Sequence, residues 1–173
     1  KLPGAKLISN YLSDNPAVAE LNLERNKLAL ASIKVLSDAM KVNTTLEHLN
    51  LNRNPITDRC VPALTDLLKN NNTLLSLDLI GSSMKVETGR EVLLKALLDT
   101  TSLQTIVESN HTCKVSFSKT KSSYASYEPE LRRISMLENE GEKIRYKVVI
   151  SMFAYDGNKD LFDPRNFHDV PLE

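Results

Sequence analysis

The residues whose types could do chemistry are few and scattered along the chain. The three histidines, His48, His111 and His168, stand far apart and lack the short spacings of metal-binding motifs. The sequence has no glycine-rich phosphate loop, no Cys-x-x-Cys pair and no nucleophile elbow. We therefore predict no catalytic residues, no bound metal and no cofactor.

One stretch near the end of the chain has part of the pattern of a calcium-binding loop. Asp156, Asn158 and Asp160 supply oxygen ligands at alternate positions, as the start of such a loop does. The rest of the pattern is missing, because Leu161 stands where the loop needs glycine and Phe167 where it needs glutamate. Calcium binding is therefore not expected.

Cysteine and asparagine have chemistry that depends on the cell compartment. The two cysteines, Cys60 and Cys113, are predicted to be free, mostly buried thiols, as in a reducing compartment. Three Asn-x-Thr triplets, at Asn43, Asn71 and Asn110, would be glycosylation acceptors in a secreted protein. Two of them fall at the same junction between a predicted helix and a predicted strand, where asparagine is a common turn residue. We therefore expect an intracellular protein, most simply a cytoplasmic one.

A repeated pattern provides the elements that position these side chains. Residues 18–28, 46–56 and 74–84 each carry apolar side chains at the first, fourth, sixth and eleventh positions. In a weaker fourth copy, Leu103 and Ile106 stand at the first two of these positions. The copies begin 28, 28 and 29 residues apart, which is the period of leucine-rich repeats that contain a helix.

Each copy is predicted to form a short strand followed by a helix. Apolar and polar residues alternate around 49–51, and apolar residues four apart predict helices near 30–41, 59–70 and 88–99. The predicted fold class is α/β: a right-handed β-α solenoid, or leucine-rich-repeat horseshoe fragment, with a parallel concave sheet, convex helices and a helical C-terminal cap. The predicted divisions are a solenoid at 1–113, a polar loop rich in serine, lysine and tyrosine at 114–127, and the helical cap and tail at 128–173.

The residues between the leucines of each strand are predicted to face away from the helices. We call this side of the sheet the concave face, and we expect a protein partner to bind there. The alternative is a sheet face that contacts only solvent. The predicted members of the concave face are Glu20, Asn22, Glu24, His48, Asn50, Asn52, Ser76, Asp78, Ile80 and Thr105.

The ninth position of each copy is predicted to stabilise the turn that follows the strand. A side-chain amide both donates and accepts, so a column of such residues can satisfy backbone groups in adjacent repeats. The predicted turn ladder consists of Asn26, Asn54, Ser82 and His111.

The charge balance limits the class of partner. The 22 basic and 22 acidic side chains give no net charge, which argues against general binding to nucleic acid or to an anionic membrane. No apolar run approaches the roughly 20 residues that cross a bilayer, so no membrane span is expected. We expect a protein partner of unknown identity, with this chain as a subunit of a larger assembly.

The stretch 46–56, followed by Ala63–Leu64 and by residues 67–71, resembles leucine-rich-repeat proteins of the ribonuclease-inhibitor-like subfamily. The resemblance covers roughly residues 6–113 and implies the horseshoe fold. Our leading hypothesis for the function is a non-enzymatic interaction module or scaffold subunit, which agrees with this resemblance. The alternatives within the subfamily are a GTPase-activating protein of the Ran type and a tropomodulin-like binder of actin-filament ends.

Two short segments outside the clear repeats have a resemblance of their own. Residues 109–113 and 143–149 are similar to leucine-rich-repeat proteins of microalgae. This similarity implies that a plastid or another organelle is an alternative location to the cytoplasm.

Overall fold

The computed structural model describes residues 2–85, 89–94, 96–97, 110 and 112–117. Helices and strands alternate along this part of the chain. The helices are α1 (Leu2–Ser13), α2 (Leu30–Val42), α3 (Val61–Asn70) and α4 (Glu91–Leu94), and a short 3-10 helix at Asp58–Cys60 leads into α3. The strands are β1 (Glu20–Asn22), β2 (His48–Asn50), β3 (Ser76–Asp78) and β4 (Lys114–Ser116).

The four strands form one parallel sheet in the order β1-β2-β3-β4. Leu21, Leu49, Leu77 and Val115 are aligned across it, one from each strand. Each strand is joined to the next by a crossover that contains a helix, as parallel pairing requires. The predicted α/β class with a parallel sheet is confirmed.

Burial alternates along the strands as the sequence predicts. Leu49 and Leu77 are 1% and 0% exposed, whereas their neighbours within each strand are partly exposed. Behind the sheet, Leu12, Met40 and Leu68 stand 28 residues apart on α1, α2 and α3, and all three are buried. Burial of a leucine or methionine side chain is worth about 1.5–3 kcal/mol, so this continuous apolar core holds the units together.

The fourth strand lies further along the chain than the sequence predicts. β4 begins at Lys114 and occupies the edge of β3, with Val115 beside Leu77. The prediction placed this strand around Leu103 and Ile106, and that placement is wrong.

The length of the third unit explains the error. Asn43 and Asn71 stand at equivalent helix-to-strand junctions and are 28 residues apart, whereas Asn71 and Asn110 are 39 apart. A fixed period of 28 or 29 residues therefore assigns the fourth strand too early. Cys113 consequently begins a copy of the repeat, whereas the sequence placed it at the end of one.

The position of β4 overlaps the start of the predicted polar loop. Residues 114–116, which the sequence assigned to that loop, form β4, and Phe117 is buried. The guanidinium carbon of Arg90 lies 5.6 Å from the centre of the Phe117 ring. The remainder of the loop, from 118 to 127, and the predicted cap at 128–173 lie outside the described residues.

Candidate functional site

The concave face is a grid of side chains set by the parallel register of the strands. Residues that pair across β1, β2 and β3 form two parallel rows, one at each end of these three-residue strands. The first row is Glu20, His48 and Ser76, and the second is Asn22, Asn50 and Asp78. β4 extends the rows with Lys114 and Ser116, which the sequence prediction missed because it misplaced this strand.

A shallow depression lies in the middle of the concave face. Its volume is about 340 Å³, and it is lined by all six residues of the two rows on β1, β2 and β3, together with Leu21 and Leu49. Two of the six are carboxylates and none is a lysine or arginine. The depression is therefore polar and acidic.

The amide side chains of the second row are fixed by their own backbone. The Oδ1 atoms of Asn22 and Asn50 accept hydrogen bonds of 2.9 Å from the backbone N–H groups of Glu24 and Asn52. Within the described part of the chain, neither Nδ2 atom has a partner. These accepted bonds orient the amides, and the N–H donors without a partner are offered to a ligand.

The first row contains one internal hydrogen bond. His48 Nδ1 and Ser76 Oγ are 2.9 Å apart, and this bond joins β2 to β3 on the concave face. Glu20 stands beside His48 in the register, on the outer strand β1. The imidazole thus lies between a carboxylate on one side and its hydroxyl partner on the other.

Three predicted members of the concave face belong to the turns beyond the strands. Glu24 forms ion pairs with Arg53 at 3.3 Å and with Arg25 at 3.7 Å. Asn52 Oδ1 accepts a hydrogen bond of 2.7 Å from the backbone N–H of Ile80, so its oxygen is engaged in joining two turns. We call Glu24, Asn52 and Ile80 the rim of the concave face; they do not line the depression. Thr105, the remaining predicted member, lies outside the described residues.

Within the predicted turn ladder, the hydrogen bonding differs from one member to the next. The buried Asn54 donates from Nδ2 to the carbonyl groups of Leu23 and Leu51 at 2.9 Å, and its Oδ1 accepts from the N–H of Leu28. Asn26 is exposed and donates only to the Glu24 carbonyl in the described structure.

Of the other two members of the predicted turn ladder, only Ser82 belongs to the described residues. Ser82 Oγ is buried and has no hydrogen-bond partner among the described residues. His111 lies outside them.

A second column of asparagines connects the units at the opposite end of the strands from the turn ladder. The sequence analysis did not identify this column as a ladder. Asn43, Asn71 and Asn110 are 1–3% exposed and stand where each helix leads into the next strand. Their Nδ2 atoms donate to the carbonyl groups of Leu12, Met40 and Leu68, one unit earlier, at 2.6–2.7 Å.

Each of these asparagines also closes its own turn. The Oδ1 atom accepts from the backbone N–H two and three residues later, as in Asn71 with Thr73 at 3.0 Å and Leu74 at 2.8 Å. Asn43 and Asn110 make the same pair of bonds. The sequence signal was the recurrence of Asn-x-Thr before an apolar residue at all three sites, not at two.

The asparagine column bears on the possibility of glycosylation. A glycan attaches to the side-chain nitrogen of asparagine, and in all three triplets that atom is buried and donates to a main-chain carbonyl. A folded chain therefore has no accessible acceptor at Asn43, Asn71 or Asn110.

Two other titratable groups have pKa values that their surroundings shift. Burial raises the pKa of the Cys60 thiol, and hydrogen bonds with Thr57 partly oppose that effect. On the helical side, hydrogen bonds to Asp38 and Asp66 raise the pKa of Lys41. In the described ranges, no group of three or more His, Cys, Asp and Glu side chains is arranged to hold a metal ion, and no helix is long and apolar enough to span a bilayer.

Comparison with known proteins gives similarity in structure but not in sequence. No protein-family profile matches the chain, and no curated protein matches it. The structure is similar to leiomodin-1 actin-binding site 2, with a TM-score of 0.52 and 14% identity, over 87% of this chain and 91% of that one. It is also similar to the tropomodulin C-terminal domain of Caenorhabditis elegans, with a TM-score of 0.52 and 15% identity, over 88% of this chain and 98% of that one. At this level of identity the likeness establishes a shared leucine-rich-repeat-like fold.

Proposed function

We propose that this chain is a non-enzymatic interaction module that binds a protein partner through its concave face. The observation that carries the proposal is the depression on the sheet, where amide donors and carboxylates have no partner within the described structure. Parallel pairing and the core behind the sheet fix the backbone that carries these groups, so little backbone entropy is lost when a partner binds. Two free, buried cysteines support an intracellular, reducing location.

Affinity capture with matched variants tests where the partner binds. The concave variant replaces Asn22, Asn50 and Asp78 with alanine. The control replaces two asparagines and one aspartate that are exposed and lie off the sheet, namely Asn10, Asn72 and Asp14. We expect a protein that binds the wild type and the control but not the concave variant, identified by mass spectrometry.

Thermal melting separates loss of binding from loss of folding. Alanine at Asn22 and Asn50 removes two hydrogen bonds from exposed or partly exposed turns. The loss of each bond should lower the free energy of unfolding by about 1 kcal/mol. The concave variant should therefore melt somewhat below the control but cooperatively. Equal capture by the wild type and both folded variants would exclude the concave face as the binding surface.

A second candidate function is binding to actin. The observation that favours it is the similarity to leiomodin-1 actin-binding site 2, which extends over most of both chains. Two assays measure binding to actin directly. One is co-sedimentation with actin filaments, and the other is the rate at which pyrene-labelled actin assembles from capped seeds. An effect that the concave variant loses and the control keeps would support actin as the partner. No effect on assembly and no co-sedimentation would reject actin and leave the interaction module with another partner.

A further inference from the structure

The two carboxylates of the depression stand at opposite corners of its grid. Glu20 begins the first row on β1, and Asp78 ends the second row on β3. With strands about 4.8 Å apart and a rise of about 3.3 Å per residue, their Cα atoms are roughly 12 Å apart. His48 and Asn50 lie between them, on β2.

Neither carboxylate is neutralised within the described part of the chain. Glu20 and Asp78 form no ion pair there, whereas Glu24 on the rim is paired with both Arg53 and Arg25. The nearest lysine along the sheet is Lys114, which stands next to Ser76 on β4 and does not line the depression. The depression therefore carries two carboxylates that form no ion pair with any described residue.

We infer that the segment of the partner that enters the depression presents an arginine side chain between Glu20 and Asp78. The inference rests on the proposed function and names the chemistry that the concave face recognises. A guanidinium has N–H donors on opposite sides of a planar group, so one side chain can donate to two carboxylates that face each other. A lysine ammonium places the same charge but lacks that geometry.

The amide groups beside the carboxylates complete the recognition. The free Nδ2 donors of Asn22 and Asn50 lie in one row with Asp78. They have the correct polarity for main-chain carbonyl groups on either side of the arginine. The site thus combines charge recognition of one side chain with hydrogen bonding to the main chain of the partner.

The probe is a pair of fluorescent nonapeptide pools that differ only at the central residue. One pool has arginine there and the other has citrulline, which keeps the shape but lacks the charge, and uncharged residues are randomised at the other positions. Fluorescence polarisation at low salt compares the two pools on the wild-type protein. We expect the arginine pool to bind about tenfold more tightly, since two partly exposed ion pairs are at stake.

Two charge-matched double variants assign the effect to the depression. Glu20→Gln with Asp78→Asn should reduce the preference for arginine to less than about twofold. Glu47→Gln with Asp14→Asn removes the same two charges from exposed positions outside the depression and should preserve the preference. Lys114→Gln should preserve or increase it, because this change removes a nearby positive charge.

Three results would overturn the inference. These are equal binding of the two pools, an equal loss in both double variants, and no measurable binding of either pool up to about 1 mM. If capture of the partner still depends on Asn22, Asn50 and Asp78 in any of these cases, the proposed function stands and only the arginine is rejected. If capture does not depend on them, the concave face itself is rejected.

Discussion

Replacement of Asn71 by alanine should remove a hydrogen-bonded link between two units of the solenoid. The Asn71 side chain is 3% exposed and makes four hydrogen bonds. Its Nδ2 donates to the carbonyl groups of Met40 at 2.6 Å and Asn43 at 2.9 Å, and its Oδ1 accepts from the N–H groups of Thr73 and Leu74. Alanine fills none of these roles.

The expected loss of stability follows from the number of groups left without a partner. Two carbonyl groups and two N–H groups lose a bond in or near the core. At about 1 kcal/mol for each, the free energy of unfolding should fall by about 4 kcal/mol. That is a large part of the roughly 5–15 kcal/mol that stabilises a typical domain.

Urea denaturation followed by circular dichroism measures this difference. The matched control is Asn72→Ala, because Asn72 is the adjacent residue, is exposed and forms no side-chain bond among the described residues. The control should stay within about 0.5 kcal/mol of the wild type. Asn71→Asp tests the donors separately, since it keeps the accepting oxygen but sets a carboxylate against the Met40 and Asn43 carbonyls. It should be at least as unstable as the alanine variant.

The result that would refute this reasoning is a small or unspecific effect. If Asn71→Ala costs less than about 1 kcal/mol, or no more than Asn72→Ala, the asparagine column does not hold the units together. If Asn71→Asp is as stable as the wild type, the donated bonds to the preceding unit contribute nothing.

The other predictions concern the core, a thiol and an incomplete ladder. Leu49→Ala should lower the free energy of unfolding by about 2–5 kcal/mol, because Leu49 is buried. Leu21→Ala should lower it by less, because Leu21 is only partly buried. Urea denaturation compares the two variants, and equal losses would contradict the burial pattern. In the folded chain, the Cys60 thiol should react only slowly with Ellman's reagent at pH 8, because the thiol is buried and its raised pKa keeps it protonated. Unfolding should make the reaction fast. Fast labelling of the native protein would contradict this prediction. Ser82→Asn should raise the free energy of unfolding by about 1 kcal/mol, because the amide can form hydrogen bonds like those of Asn54. An unchanged midpoint of urea denaturation would show that the amide does not fit.

The comparison of sequence with structure shows where pattern analysis was sufficient. Alternation around Leu49 and apolar residues four apart are local properties of strands and helices, so the sequence located β1, β2, β3, α2 and α3. The same alternation identified six residues that line the depression. It failed for β4, because the longer third unit shifts the strand and a fixed period does not anticipate an insertion.

The sequence by itself determined the repeating unit, the parallel sheet and the polar character of the concave face. Only the tertiary structure decided that Lys114 and Ser116 stand beside Ser76 and Asp78. It also decided that Glu20 and Asp78 share one depression without a counter-charge in its lining. It also decided that Asn43, Asn71 and Asn110 form a buried column. The physical reason is distance along the chain: the inter-unit bonds of these asparagines join residues 28–42 apart, and such bonds form only when the units stack.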